Sequence, residues 1–291
     1  MSTIRVFVAC TEAERLPMQV LAHSIRATSS VPVEVAAIHD FQRPIPMPRE
    51  LRNRPRTPFS FQRFLIPELC GYRGRAIYLD ADMQVFHDID ELWSHPMEGN
   101  ALLTVSEGNS GRRGQFSVIL LDCERLRWRV EDIVAGLDEG RFTYEQLMQE
   151  MCIAPEVGRV LSPAWNSLER YEPGRTRLLH YTDMDTQPWI FADHPLGHLW
   201  LDGLRRALSA GAVDRAFVER AVSLGHVRPS LLRQLDDPQV AGSELRRLDS
   251  AFVAPYKSIR SGQASPFLNW RAALAARGRR SLQRLRALAR S

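Results

Sequence analysis

No apolar run in this 291-residue chain approaches the ~20 residues needed to cross a bilayer. The opening MSTIRVFVAC lacks a basic start, a long apolar stretch and a cleavage site, which predicts a cytoplasmic protein. The four cysteines (Cys10, Cys70, Cys123, Cys152) form no CxxC pair. That argues against a disulfide framework or a zinc knuckle and predicts buried thiols. Internal repeats and long low-complexity tracts are absent, which excludes solenoids and propellers. Charged residues at 25% and hydrophobic residues at 44% exclude wholesale disorder. Charge of one sign is scarce except at one end. Residues 262–291 hold seven arginines and no acid, so the overall +4 leaves −3 on residues 1–261. An acidic body without an aromatic-rich basic groove predicts no nucleic-acid partner.

What is present alternates between two periods. Ile4–Ala9 reads as a short buried strand, Leu16–Ala27 as a helix, and Val33–Ile38 as a second strand. A proline-rich loop over Arg43–Pro58 follows, then a helical stretch at Phe61–Leu69 punctuated by Gly71–Gly74. Arg75–Leu79 is a strand ending at Asp80, and Asp90 is placed to cap a helix. Ala101–Val105 and Ser117–Leu121 read as further strands, with helices around Arg129–Leu137 and Thr143–Met151. From Pro195 the pattern turns helical, at Leu199–Ser209, Arg215–Ser223 and Ser230–Leu235. Strands and helices alternating at these lengths predict an α/β protein with a mixed, mostly parallel sheet, followed by a helical extension.

The sharpest local feature is RAIYLDADMQVF, an apolar strand running into Asp80-Ala81-Asp82. Ligands of open α/β sheets bind beyond the carboxyl ends of strands. Alternate residues of an extended segment share a face, so both carboxylates can point into that crevice. Two hard oxygen donors suit Mg²⁺ or Mn²⁺, which neutralise a departing diphosphate. An Asp-x-Asp pair is also common without a metal, and Asp88-Ile-Asp90 fits helix capping better. A hundred residues on, the strand-like lead Leu178-Leu179 ends at His180, a good third ligand for Mn²⁺ and a poorer one for Mg²⁺. A lone histidine is as readily structural.

The stretch Phe61–Trp93, FQRFLIPELCGYRGRAIYLDADMQVFHDIDELW, resembles retaining glycosyltransferases of family 8, the group of lipooligosaccharide galactosyltransferases and glycogenin. An arginine-bearing aromatic helix, a strand ending in YLDxD, and DI-x-ELW appear in the family's order. Val6–Thr11, Gly114–Asp122, Glu145-Gln146, Trp165-Asn166 and His180–Trp189 match weaker family marks, so the resemblance spans roughly residues 4–190. It implies a GT-A fold over residues 1–195, with 196–261 as a helical extension. It also implies a metal-dependent hexosyl transfer from a nucleotide sugar, expected to be a UDP-sugar, to a saccharide or lipid-linked acceptor with retention. By the same resemblance Asp80, Asp82 and His180 would hold Mn²⁺, with Mg²⁺ the alternative. Ala9 and Thr11 would line the base pocket. Arg63, Ala81, Gln115 and Gln187 would lie at the donor, and Gln146 beside the anomeric carbon with Glu145 next to it. Without the resemblance, Gln146 reads as a helix-surface glutamine.

Departures accompany the match. Gln115 and Ser117 replace the family's Asn and Gly, and Glu145 replaces an Asp. The closing motif carries Gln187 where the family has a phosphate-contacting lysine. Arg112 and Arg113 are candidates to supply the missing positive charge. A catalytically weak nucleotide-sugar-binding protein is the competing reading. In residues 262–291, Trp270, Leu274, Leu285 and Leu288 fall within about 60° on a helical projection, and six of the seven arginines lie off that stripe. This pattern predicts peripheral contact with the inner face of an anionic membrane.

Overall fold

A computed structural model of the protein describes residues 3–106 and 116–255. Its strands are β1 (Ile4–Ala9), β2 (Val33–Ala37), β3 (Arg75–Asp80), β4 (Met83–Val85), β5 (Leu102–Val105), β6 (Val118–Asp122), β7 (Val157–Leu161), β8 (Ser167–Leu168) and β9 (Leu178–His180). Six of them form a sheet in the order β2-β1-β3-β6-β5-β7. Only β6 runs against the others in this sheet. The inner strands β1, β3, β5 and β6 are almost wholly buried, which is why they read as continuous apolar runs rather than alternating ones. Ile4, Val6, Val8, Ile77 and Leu79 enter one apolar layer, and Phe7, Ala9, Ala76 and Tyr78 enter the opposite one.

The helices are α1 (Arg15–Thr28), α2 (Ile66–Leu69), α3 (Asp90–Trp93), α4 (Val130–Asp138), α5 (Gly197–Ser209), α6 (Arg215–Ser223), α7 (Ser230–Asp236) and α8 (Gly242–Asp249). A 3-10 turn, Gln62–Leu65, precedes α2, so the helical stretch expected at 61–69 is two short pieces. Asp90 is not an N-cap but the first residue of α3. The carboxylate of Asp88 accepts its amide at 3.0 Å, the capping duty falling two residues earlier. The cysteines also depart from expectation: Cys10 and Cys123 are buried, Cys70 half-buried and Cys152 exposed.

A second, three-stranded sheet in the order β4-β9-β8 positions the site. After β3 the chain turns once through Ala81 and Asp82 and re-enters as β4, whose Met83 opposes His180 on β9. The helical extension is fastened behind β9. Leu16 and Val20 of α1 share an apolar core with Leu179, Tyr181, Trp189 and the extension's Trp200, Leu204, Val218 and Leu231. Gln84 ties the layers together: its amide donates to the Leu199 carbonyl at 3.1 Å and its oxygen accepts from the Tyr181 hydroxyl at 2.9 Å. Gly203 makes this approach possible, because a Cβ there would stand 2.6 Å from the Gln84 amide nitrogen. Among the described residues no helix is long and apolar enough to cross a membrane. Residues 262–291, like Arg112, Arg113 and Gln115, lie outside the described residues.

Candidate metal and donor site at the carboxyl end of β3

β1 and β3 are parallel, with Ala9 opposite Asp80, and the Ala81 amide donates to the Ala9 carbonyl at 3.2 Å. Asp80 therefore leaves the sheet beside the end of β1, where Thr11 follows. The turn at Ala81 swings Asp82 towards β9, and the Tyr181 amide donates to the Asp82 carbonyl at 2.9 Å. Asp80, Asp82 and His180 come together with one ligand atom from each, all within 4.8 Å of one another. The spacing along the chain is 2 and 98 residues, so the two sheets, not local sequence, assemble this cluster.

Each ligand is braced from behind. The Tyr78 hydroxyl donates to Oδ1 of Asp80, and a guanidinium nitrogen of Arg63 stands 3.7 Å from the same oxygen. Arg63 is itself buried, donating to the carbonyls of Ser60 at 3.0 Å and Phe116 at 2.5 Å, with its guanidinium over the Tyr78 ring. Gln187 donates to Oδ2 of Asp82 at 3.0 Å and to the Tyr181 carbonyl at 2.9 Å. His180 places Nε2 3.1 Å from Oδ1 of Asp82 and Nδ1 2.9 Å from Oδ1 of Asn166. Behind His180, Glu169 accepts the Asp183 amide at 2.9 Å and faces Nε2 of His194 at 3.1 Å. Burial raises Glu169's pKa, but His194 and these donors outweigh it and hold the carboxyl below its ordinary range.

The electrostatics of the site favour a cation. Burial pushes Asp80 upward; Arg63 pulls it down and the Asp82 charge adds to the rise. Burial works against a charged His180, yet the carboxylates of Asp82, Asp80 and Glu169 outweigh it and raise the ring's pKa. Glu14, which sequence reasoning missed, is a third acid here, and like Asp80 it is buried. Its Oε2 accepts the Thr11 amide and hydroxyl, both at 3.0 Å. Burial, then the charge of Asp82, pushes it up to about 8. Oδ1 of Asp82 is buried and has the His180 ring nitrogen, 3.1 Å away, as its one polar neighbour among the described contacts. Two carboxylates and an imidazole, one of them offering an orphaned buried oxygen, fit a small divalent cation.

The remaining expected residues divide into two groups. Ala9 and Ala81 lie at the β1–β3 edge of the cluster, and Gln62, also unforeseen, clamps the Cys10 amide and carbonyl at 3.0 and 2.8 Å just before Thr11. Glu145 and Gln146 stand on a separate helical segment. Gln146 is exposed, and its carboxamide oxygen accepts the Thr143 backbone amide at 2.8 Å while its backbone amide donates to the Thr143 hydroxyl at 3.1 Å. Glu145 pairs with Arg56 at 3.6 Å. Their segment joins the site's surroundings through Tyr144, whose ring lies 6.3 Å from that of Phe61.

A family model described as glycosyl transferase family 8 matches residues 14–140. Protein CDI of Arabidopsis thaliana is 41% identical over 222 residues, covering 68% of this chain and 85% of that protein. Among solved structures, the galactosyltransferase LgtC in complex with donor and acceptor sugar analogues superposes with a TM-score of 0.50 at 13% identity. That match covers 72% of this chain and 100% of LgtC. The bifunctional glycosyltransferase WbbM gives 0.53 at 12% identity over 70% of this chain, which spans 50% of WbbM. At such identities the two solved structures speak to the fold alone.

Proposed function

The chain belongs to glycosyltransferase family 8, and from that premise we propose that it moves a hexose from a UDP-sugar to a saccharide or lipid-linked acceptor, with retention at the anomeric carbon. The observation that carries the proposal is the convergence of Asp80, Asp82 and His180 at the carboxyl end of β3, with Oδ1 of Asp82 and Nε2 of His180 3.1 Å apart. These three residues would hold Mn²⁺, whose mixed oxygen and nitrogen preference matches the set better than that of Mg²⁺. The ion, when bound, supplies charge neutralisation for the departing diphosphate.

The protein's own groups do the rest. Tyr78 and Arg63 hold Asp80 from behind the sheet, and Gln187 holds Asp82. Gln62 and Glu14 fix the Cys10–Thr11 backbone, which with Ala9 forms the edge we assign to the base. Gln146 is a neutral amide and a poor nucleophile, so retention is best served by same-face attack. The acceptor hydroxyl then gives its proton to the leaving phosphate oxygen while the new glycosidic bond forms. The test is release of UDP from UDP-hexoses, with GDP-sugars as the comparison. Release that needs Mn²⁺ and vanishes in Asp82→Ala supports the proposal; release undiminished in chelator sinks it.

A second reading, a nucleotide-sugar-binding protein with little turnover, draws on one observation. Gln187 replaces the lysine expected in the closing motif, and both its amide bonds are spent on Asp82 and Tyr181. Mn²⁺-dependent UDP binding without UDP release from any donor would favour it.

A further inference from the structure

Each of the three clustered side chains has one polar atom already engaged and one left over. Asp80 gives Oδ1 to Tyr78, Asp82 gives Oδ2 to Gln187, and His180 gives Nδ1 to Asn166. The last of these contacts has a chemical consequence that the other two lack. A carboxamide oxygen can only accept, so in the neutral ring the proton sits on Nδ1 and Nε2 presents a lone pair. That nitrogen lies 3.1 Å from Oδ1 of Asp82, a buried oxygen with no other hydrogen-bond partner. In the neutral ring two lone pairs this close in a buried site repel, and either a proton on Nε2 or a cation that both atoms ligate removes the repulsion.

We propose that Asn166 is a positioning residue of the metal site: it fixes the Nδ1–H tautomer of His180 and so keeps Nε2 open towards Asp82 as a preformed ligand pair. This inference rests on the metal-dependent reading above and assigns a role to a residue outside the ligand set. The placement of Asn166 is rigid. It ends the 3-10 turn Pro163–Asn166, whose start is capped by the Ser162 hydroxyl and whose Trp165 is buried. The Arg177 amide donates to the Ala164 carbonyl at 2.9 Å, tying the turn to the lead of β9. The next residues form β8, where Leu168 is in register with His180. The carboxamide is thus held by backbone pairing on both sides of Asn166, to the strand that carries the histidine it orients. Outer partners of this kind set the tautomer and orientation of ligating histidines, and losing one typically weakens metal binding about 10–100-fold.

The experiment compares Mn²⁺ binding by the full chain in wild type, Asn166→Leu and Asn166→Asp, with ¹H–¹⁵N spectra of the metal-free histidines at alkaline pH. Leucine keeps the volume but cannot accept; aspartate accepts the same proton. The expected result is an Nδ1–H tautomer in wild type, about 10–100-fold weaker Mn²⁺ binding in Asn166→Leu with the proton moved to Nε2, and affinity restored in Asn166→Asp. An Nε2–H tautomer in wild type overturns the inference. So does unchanged Mn²⁺ affinity in Asn166→Leu, or loss of affinity in Asn166→Asp as deep as in Asn166→Leu. A wild type that binds no Mn²⁺ at all overturns the metal-dependent reading instead, and this inference falls with it.

Discussion

Two polar networks, one in the helical extension around Arg228 and one at the end of β3, are built on opposite plans. In the helical extension Arg228 is buried, and all its contacts close within the protein. It donates to the Pro188 carbonyl at 2.9 Å, to the Ser230 hydroxyl at 2.5 Å and to Gln234, while Ser230 is fixed by Asp249 at 2.6 and 2.9 Å. Burial lowers its pKa to about 10, which still leaves it charged at neutral pH. At the end of β3 Asp80 is buried and Asp82 partly so, but each keeps an atom in reserve, and Oδ1 of Asp82 has only the His180 ring nitrogen near it. A closed network stabilises a fold, because an unpaired buried polar atom costs about 1–3 kcal/mol. An open one makes sense where something else completes it. The contrast is between an arginine whose partners are all protein groups and two aspartates that each keep an oxygen free of protein donors.

The comparison can be broken most sharply by Asp82→Ala. The expected outcome is complete loss of Mn²⁺-dependent UDP binding, with the melting temperature of the metal-free protein close to wild type. A large fall in stability instead would make Asp82 a structural residue like Arg228. The reverse pattern is expected for Arg228→Ala. Leaving Ser230, Gln234 and Asp249 without their buried partner should cost about 3–5 kcal/mol in chemical denaturation, while UDP affinity stays within a few-fold of wild type.

Glu14 offers a pH test of the open site. Its carboxyl titrates near 4.5 when unfolded and is pushed up to about 8 when folded. Between those values the folded state holds the extra proton, so stability falls as pH rises and levels off above about 8. Glu14→Gln can still accept from Thr11 and should remove this slope in metal-free protein, gaining on the order of 1–3 kcal/mol above the folded pKa and nothing below the unfolded one. Equal pH profiles for the two proteins would contradict the burial of an ionisable group there. The smallest effect is expected for Gly203→Ala. The new methyl group must displace the Gln84 amide from Leu199, costing about 1 kcal/mol of stability with little change in UDP binding.

Much of the fold was legible because the central strands are buried on both faces and read as apolar runs, as with Ile4–Ala9 and Arg75–Asp80. The long helices α1, α5 and α6 showed clear apolar stripes. The elements not anticipated are short or polar. β8 has only two residues, β7 carries Gly158 and the half-exposed Arg159, and α8 buries little beyond Leu245. The carboxylate pair was visible because a strand end announces it, and His180 because an apolar lead stops there. Of the braces behind the ligands, Arg63 and Gln187 were named through the family resemblance, and the others left almost no trace. Tyr78 looked like core, Asn166 was half of a Trp-Asn pair, and Glu14 was one acid among several near a helix start. Their roles come from two sheets meeting, which no local pattern encodes. The faint signal available was a polar residue placed immediately after a buried aromatic, as Asn166 follows Trp165.

The most direct test of the account is a calorimetric titration of UDP into the full chain, with Mn²⁺ and again with chelator, and with GDP as the control. The account predicts UDP binding that requires Mn²⁺, exceeds GDP binding and disappears in Asp82→Ala. UDP binding that is equally tight without metal, or absent with it, would contradict the assignment of Asp80, Asp82 and His180 as the centre of the donor site.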